Sequence, residues 1–185
     1  MAHSSKKEKP KTLEQAWNRE YSKNETLWNS VSEEKLEFGK GERILELGCG
    51  NGQTLKMIAA GAEKVGAKAW AVDFSRKAVE ICEKLKKKYA WKNVEIARGD
   101  AGGLEFEDEM FDSVVAFHLL GNIEDAKRGS AIKEIARVLK KGGKVFVKVF
   151  SVNDFRCPDG KDKTKVKSNG ILEHYFAQEE LDEMF

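Results

Sequence analysis

The stretch Glu46-Leu47-Gly48-Cys49-Gly50-Asn51-Gly52 joins a short apolar segment, Arg43–Leu47, to an amphipathic one, Gln53–Ala60. Three glycines at alternate positions between a strand and a helix predict a turn in which a ligand can approach bare backbone, with helix N–H groups pointing at it. The dinucleotide-binding fingerprint is G-x-G-x-x-G. Position 53 is Gln and the spacing is G-x-G-x-G, so the loop departs from that fingerprint.

Strands and helices alternate on the C-terminal side of this loop. Four further apolar segments predict strands, at Lys68–Val72, Val94–Arg98, Phe111–Phe117 and Lys144–Phe150. Apolar residues at helical spacing follow Ser75, a candidate N-cap, and recur from Ile132 to Leu139 before Gly142-Gly143 ends that helix. The order predicts an α/β fold with a doubly wound parallel sheet. The link from Asp100 to Met110 is too short for a full crossover helix.

Length and composition limit the classes of protein to be considered. A chain of 185 residues, 41% of them apolar, suits one domain with a real core, and a net charge of +2 does not by itself predict nucleic-acid binding. Neither an 18-residue apolar run nor a signal-peptide core occurs, so the sequence predicts no membrane contact. Three scattered cysteines fit a reduced, cytoplasmic protein, and none is spaced like a metal ligand, so no metal site is predicted.

The glycine loop resembles motif I of class I S-adenosylmethionine (SAM)-dependent methyltransferases, and four further elements of that family follow in order. They are Ala71-Val72-Asp73-Phe74-Ser75, Arg98-Gly99-Asp100-Ala101, Phe111-Asp112-Ser113-Val114-Val115 and Leu139-Lys140-Lys141-Gly142-Gly143-Lys144-Val145. The resemblance covers roughly residues 40–150. It implies a Rossmann-like sheet of order 3-2-1-4-5, SAM as cofactor, S-adenosylhomocysteine (SAH) as product, and in-line methyl transfer.

The resemblance also implies a cofactor site. Asp73 would take the ribose hydroxyls, Asp100 the adenine amino group, and the backbone N–H after Asp100 would meet the ring, while Glu46 would support the loop. The implied cofactor-binding set is Glu46, Gly48, Cys49, Gly50, Asn51, Gly52, Asp73, Phe74, Ser75, Asp100, Ala101 and Phe117. A nucleophilic Cys49 is not favoured, because no histidine-based partner is identifiable.

Two residues are candidates for a direct part in methyl transfer. His118 follows the fourth strand, where it would act as a base or orient the acceptor; a structural histidine in a turn is the alternative. Tyr21 would close the pocket near the sulfonium and gain cation–π stabilisation, as N-terminal aromatic lids do in the family; a packing anchor is its alternative.

We divide the chain into a disordered leader (1–11), an N-terminal helical lid (12–38) that begins with a capping box at Thr12, and the SAM-binding domain (39–185). Family members usually have seven strands, whereas only five are visible here. We therefore expect the C-terminal β-hairpin to be missing, through a shortened chain or through pairing with another chain at the apolar edge of the fifth strand, for instance as a homo-oligomer. The basic stretch 150–176 is either a solvated loop or a substrate contact.

The acceptor is left open. No Asn/Asp-Pro-Pro-aromatic tetrapeptide follows the fourth strand and no Pro-Cys nucleophile occurs, which leaves O, S, N or C atoms of a small molecule or, as second choice, RNA. Two alternatives to an active methyltransferase are a non-catalytic SAM-binding module and a nicotinamide-dependent oxidoreductase.

Overall fold

A five-stranded parallel sheet forms the centre of the molecule. The computed structural model describes residues 10–23, 35–159 and 163–185. The strands of this sheet are β1 (Arg43–Leu47), β2 (Lys68–Asp73), β3 (Val94–Arg98), β4 (Phe111–Phe117) and β5 (Leu139–Lys148). Their order is β3-β2-β1-β4-β5, and every neighbouring pair is parallel. The predicted fold class and strand order are confirmed.

Helices cover both faces of the sheet, because alternate residues of its central strands point to opposite sides. Ile44 of β1 packs with Leu55 and Ile58 on one face, whereas Leu45 packs with Ile135 on the other. The helices are α1 (Leu13–Lys23), α2 (Gln53–Lys64), α3 (Arg76–Tyr89), α4 (Asp125–Val138) and α5 (Gln178–Met184), with a short 3₁₀ turn at Leu120–Asn122. The loops after the parallel strands gather at one edge of the sheet, and this edge carries the site described below.

Two predicted N-caps are present. Thr12 Oγ1 accepts a hydrogen bond from the backbone N–H of Gln15 (3.1 Å) at the start of α1. Ser75 Oγ accepts from the N–H of Ala78 (3.2 Å) at the start of α3. Each cap satisfies a helix N–H group that has no partner within its own helix.

The boundary between α4 and β5 lies earlier than the sequence predicts. We expected the helix to continue through Leu139 to the glycine pair, but α4 ends at Val138 and Leu139 already pairs with Phe111 of β4. A register shift then separates this pair from the Ser113–Lys144 pair, with Gly142 at a φ of 75°. The glycine pair therefore lies inside the strand, and its predicted role as a helix stop is wrong.

A second sheet corrects the expectation of five strands and one of the two alternatives for residues 150–176, the solvated loop. It consists of β6 (Phe150–Ser151), β7 (Thr164–Val166) and β8 (Leu172–Phe176), in the order β6-β8-β7. β8 is parallel to β6 and antiparallel to β7. The strands were missed because two of them have only two or three residues, too few for an alternation of polar and apolar residues to be recognised.

Some predictions fall on residues that the structure does not describe. They concern most of the leader (residues 1–9), residues 24–34 of the predicted lid, and residues 160–162 of the basic stretch. Across the residues that are described, no helix combines the length and the apolar character needed to cross a membrane.

Candidate functional site

A cavity of about 920 Å³ lies at the carboxyl ends of the parallel strands. Its first wall comes from the loops after β1 to β4, and its second from α1 and the small sheet. Residues of the first wall include Gly48, Asn51, Asp73, Phe74, Asp100, Ala101, Phe117 and His118; those of the second include Trp17, Tyr21, Phe150, Lys167, Asn169 and Glu173. Ligands of open α/β sheets bind at this edge.

The glycine loop and Asp73 are hydrogen-bonded to each other. The N–H of Gly50 donates to Asp73 Oδ2 (2.9 Å), and the N–H of Ser75 donates to Asp73 Oδ1 (2.8 Å). Burial raises the pKa of Asp73 to about 6, and these two N–H donors only partly offset the effect of burial. Because a carboxylate has about four positions for accepted hydrogen bonds, Asp73 retains capacity for the ribose hydroxyls predicted to meet it.

Gly50 occupies a position that a larger residue could not. Its φ is 52°, in the left-handed region, and a Cβ atom there would lie 2.8 Å from the Tyr21 hydroxyl oxygen. Both the backbone conformation and the space therefore require glycine.

Several residues of the predicted cofactor set do not line the cavity. Glu46, Cys49, Gly50, Gly52 and Ser75 are not among the residues that line it. Ser75 instead caps α3, and Gly50 binds Asp73 from behind the wall. These residues shape the loop and the strand ends that face the cavity.

Glu46 is a buried carboxyl group on β1, only 2% exposed. Within the described part of the chain, its Oε2 atom is buried and has no hydrogen-bond partner. Burial, followed by repulsion from Asp73, raises its pKa to about 8. The predicted bonds from Glu46 to the loop backbone remain a prediction.

Cys49 lies behind the loop, with its Sγ atom 3.5 Å from that of Cys82 on α3. The hydrogen bond with Cys82 and burial raise the pKa of the Cys49 thiol. A protonated, buried thiol is a poor nucleophile, which agrees with the low expectation for catalysis by Cys49.

Asp100 and Ala101 follow β3 and line the cavity. Asp100 is exposed and its Oδ1 accepts from the N–H of Gly102 (2.9 Å), which fixes a tight turn. The Asp100 carboxylate therefore lies at the rim of the cavity, on the same side as Asp73. An extended nucleoside could meet Asp73 with its ribose and Asp100 with its adenine.

Helix α1 closes the cavity from above. Tyr21 is buried and stacks on Trp17, with ring centroids 5.3 Å apart. Burial, and after it the charge of Asp73, raises the pKa of the Tyr21 hydroxyl, so this group stays protonated. Asn18 Oδ1 accepts from Ser75 Oγ (2.8 Å) and from the N–H of Lys77 (3.1 Å), and so ties α1 to the start of α3.

His118 follows β4 and lines the cavity in a strained backbone conformation, with a φ of 55°. Its N–H donates to the carbonyl of Lys148 (2.7 Å). Its ring lies 4.7 Å from that of Phe150, which in turn lies 5.9 Å from Tyr175. We call these three rings, His118, Phe150 and Tyr175, the aromatic shelf.

The sequence did not identify the second wall beyond α1. Lys167, Asn169, Ile171 and Glu173 reach the cavity from the β7–β8 hairpin. Asn169 Nδ2 donates to Glu20 Oε2 of α1 (3.0 Å), which joins hairpin and lid. The available signal was the segment 172–176, which places a glutamate between apolar residues of a buried strand face.

Among the described residues, no group of three or more His, Cys, Asp or Glu side chains is arranged to hold a metal ion.

Comparison with known proteins agrees with this geometry. The family described as "Methyltransferase domain" matches residues 44–143. A SAM-dependent methyltransferase from Methanosarcina mazei has the same fold, with a TM-score of 0.65 and 22% identity over 80% of this chain and 78% of that one. The chain belongs to the class I SAM-dependent methyltransferase family.

The names of two curated relatives include the compound that those proteins methylate. A demethylmenaquinone methyltransferase from Clavibacter sepedonicus is 33% identical over 69% of this chain and 49% of its own length. A chloroplastic 2-phytyl-1,4-beta-naphthoquinone methyltransferase from Arabidopsis thaliana is 33% identical over 68% of this chain and 48% of its own length. The chain thus spans about half the length of the curated relatives it matches.

Proposed function

We propose that this chain binds SAM along the first wall of the cavity and transfers its methyl group to a planar, hydroxyl-bearing ring of the naphthoquinol class. The observation that carries the proposal is a shared cavity. Gly48, Asp73 and Asp100 line it, and so do His118 and Phe150 of the aromatic shelf. A cavity of about 920 Å³ has room for a nucleoside and a small ring together. The names of the curated relatives support a ring of this class.

The residues fit the cofactor in polarity and shape. Gly48 and Asn51 offer bare backbone and a small polar side chain at the end of β1, where a larger loop residue would fill the space. Asp73 would accept hydrogen bonds from the ribose, and Asp100 from the adenine amino group. Phe74 and Ala101, which follow these two carboxylates in the chain, would lie beside the same contacts. Phe117, at the end of β4, lies between this half of the cavity and the aromatic shelf.

Methyl transfer from SAM depends more on aligning the acceptor ring with the methyl group than on activating either reactant. When bound, SAM would supply a methyl group on a sulfonium. Transfer would form a carbon–methyl bond as the sulfur–methyl bond breaks, and the acceptor ring would lose one proton. The aromatic shelf would orient the ring, and α1 with Tyr21 would exclude water. His118 would receive the proton or hold the water that carries it away.

Calorimetric titration with SAM and SAH tests the cofactor part of the proposal, with reduced nicotinamide cofactor as the control ligand. We expect both sulfur nucleosides to bind and the nicotinamide not to bind. Asp73→Ala should weaken SAH binding by about 1.5–3 kcal/mol, the value of a hydrogen bond to a charged group. Asp182→Ala, which removes an exposed carboxylate on α5, serves as the matched control and should bind as the parent chain does.

A turnover assay tests the other part of the proposal, methyl transfer to a ring of the naphthoquinol class. With SAM and 1,4-dihydroxynaphthalene under anaerobic conditions, we expect a methylated ring and SAH in equal amounts. A chain that binds SAH tightly and methylates neither this ring nor its alkylated analogues would support the non-catalytic module instead. Binding of the reduced nicotinamide cofactor in place of SAH would support the oxidoreductase.

A further inference from the structure

A buried carboxylate occupies the acceptor half of the cavity. Glu173 on β8 is 4% exposed and lines the cavity, on the strand face that also buries Tyr175. Apolar side chains usually occupy such a position, since burial of a charge is costly without compensation. The family resemblance assigned no role to this strand.

The contacts of Glu173 keep it ionised. Lys167 Nζ lies 2.6 Å from Oε1, and the Tyr175 hydroxyl donates to Oε2 (2.8 Å). Burial alone would raise the pKa of Glu173, but the two hydrogen bonds and the positive charges of Lys167 and Arg156 together outweigh it and hold the pKa below its usual value. Because an ionised carboxylate accepts about four hydrogen bonds and donates none, Glu173 retains positions that only a donor can fill.

The position of Glu173 relative to the aromatic shelf follows from a chain of contacts. Tyr175, which donates to Glu173, is itself part of the shelf and lies 5.9 Å from Phe150. The turn after His118 packs directly on the same strand, since a Cβ atom at Gly121 would lie 2.9 Å from the carbonyl oxygen of His174. Shelf and carboxylate therefore form one continuous wall, with Glu173 beside the stack.

We propose that Glu173 accepts a hydrogen bond from a hydroxyl group of the acceptor and thereby selects the reduced, hydroxyl-bearing ring over rings that present no donor. The inference rests on the proposed function, which it deepens by naming the residue that recognises the acceptor. The vacant positions of this buried carboxylate gain a hydrogen bond only from a ring that carries a donor, so the selectivity comes from a bond that the other ring cannot make. The oxidised form of the same ring offers only carbonyl oxygens, which a carboxylate repels.

The test compares two rings of similar size that differ in the donor, 1,4-dihydroxynaphthalene and 1,4-difluoronaphthalene. Their affinities are measured anaerobically by quenching of tryptophan fluorescence, with the chain saturated with SAH. We expect the parent chain to prefer the dihydroxy ring by about tenfold or more, the effect of one hydrogen bond to a charged group. In Glu173→Gln the preference should fall to about twofold, through loss of affinity for the dihydroxy ring alone.

Glu179→Gln is the matched control, because it makes the same substitution at an exposed glutamate of α5 that does not line the cavity. It should retain most of the preference, and SAH affinity should be unchanged in both variants. Equal weakening of both rings in Glu173→Gln would show a purely structural role and overturn the inference. A parent chain that binds both rings equally would overturn it without any variant. A parent chain that binds SAH but neither ring would overturn the proposed acceptor class together with this inference.

Discussion

Glu46 makes the free energy of unfolding of this molecule fall as the pH rises, whereas most carboxyl groups have the opposite effect. Its pKa is about 8 in the folded chain, against 4.5 for an ordinary glutamate. The protonated form therefore favours the folded state. This contribution is complete below about pH 4.5 and is lost as the pH rises through 8, since the buried carboxyl must then ionise beside Asp73.

Glu46→Gln should remove this dependence, because the amide imitates the protonated carboxyl at every pH. We expect the variant and the parent chain to have similar free energies of unfolding at pH 5, and the variant to be more stable at pH 8 by on the order of 3 kcal/mol. Urea unfolding at pH 5, 6.5 and 8 measures this. The exposed Glu107→Gln should follow the parent chain throughout; a variant at Glu46 that does the same would show that the site accommodates the charge.

At the scale of elements, polar contacts link α1 to the wall of the cavity that would hold the cofactor. Asn18 binds both Ser75 and Lys77 at the start of α3, and Glu14 pairs with Arg98 at the end of β3 (2.8 Å). The Glu14–Arg98 pair is exposed and therefore weak. Of these two attachments between the lid and the cofactor wall, the part-buried one through Asn18 is therefore the stronger.

Asn18→Ala should consequently loosen α1 and weaken SAH binding about fivefold, the effect of one neutral hydrogen bond. Ser22→Ala is the matched control: it removes a small polar group of the same helix that only binds the carbonyl of Asn18. Calorimetric titration of both variants decides the matter. If Asn18→Ala binds SAH as the control does, α1 does not contribute to the cofactor site through this contact.

The elements that the sequence predicted are those that carry their own signal. β3 and β4 begin and end at the predicted residues, because apolar runs bounded by polar loops are typical of buried parallel strands. The end of α4 was placed too late, since Leu139 is apolar at helical spacing and only its pairing with Phe111 puts it into β5. The pairing of β6 with β8 joins residues about 25 positions apart, and no local pattern indicates it.

The residues of the candidate site likewise fall into a group that the sequence predicted and a group that it did not. The half that faces the cofactor could be predicted because its residues follow successive strands of the sheet and belong to contiguous motifs. In the half that faces the acceptor, the sequence indicated His118 and the stretch 150–176, but not which residues of that stretch meet. Phe150, Lys167 and Glu173 come together through the small sheet. A glutamate in a basic stretch looks like a solvated residue until its burial against Tyr175 is known.

For the molecule as a whole, the free edge of β5 determines how it meets other copies of itself. β5 has ten residues and, among the described strands of the central sheet, pairs with β4 only. Long edge strands promote association, whereas lysines on an edge oppose it. Lys140, Lys141 and Lys144 lie on β5, so repulsion between copies should limit pairing at low salt.

We therefore expect weak self-association that increases with both protein concentration and ionic strength, because salt screens the lysines while leaving the backbone hydrogen bonds of the edge intact. The carbonyl of Lys148 accepts from the N–H of His118, the residue that follows β4. The N–H of the preceding residue, Val147, therefore points away from β4. Val147→Pro removes this outward donor and should keep the chain monomeric at every salt concentration. Sedimentation velocity at low and high salt measures the effect, with circular dichroism as the check that the variant is folded. A parent chain that remains monomeric at the highest concentration and the highest salt would show that the lysines and the twist of β5 protect this edge on their own.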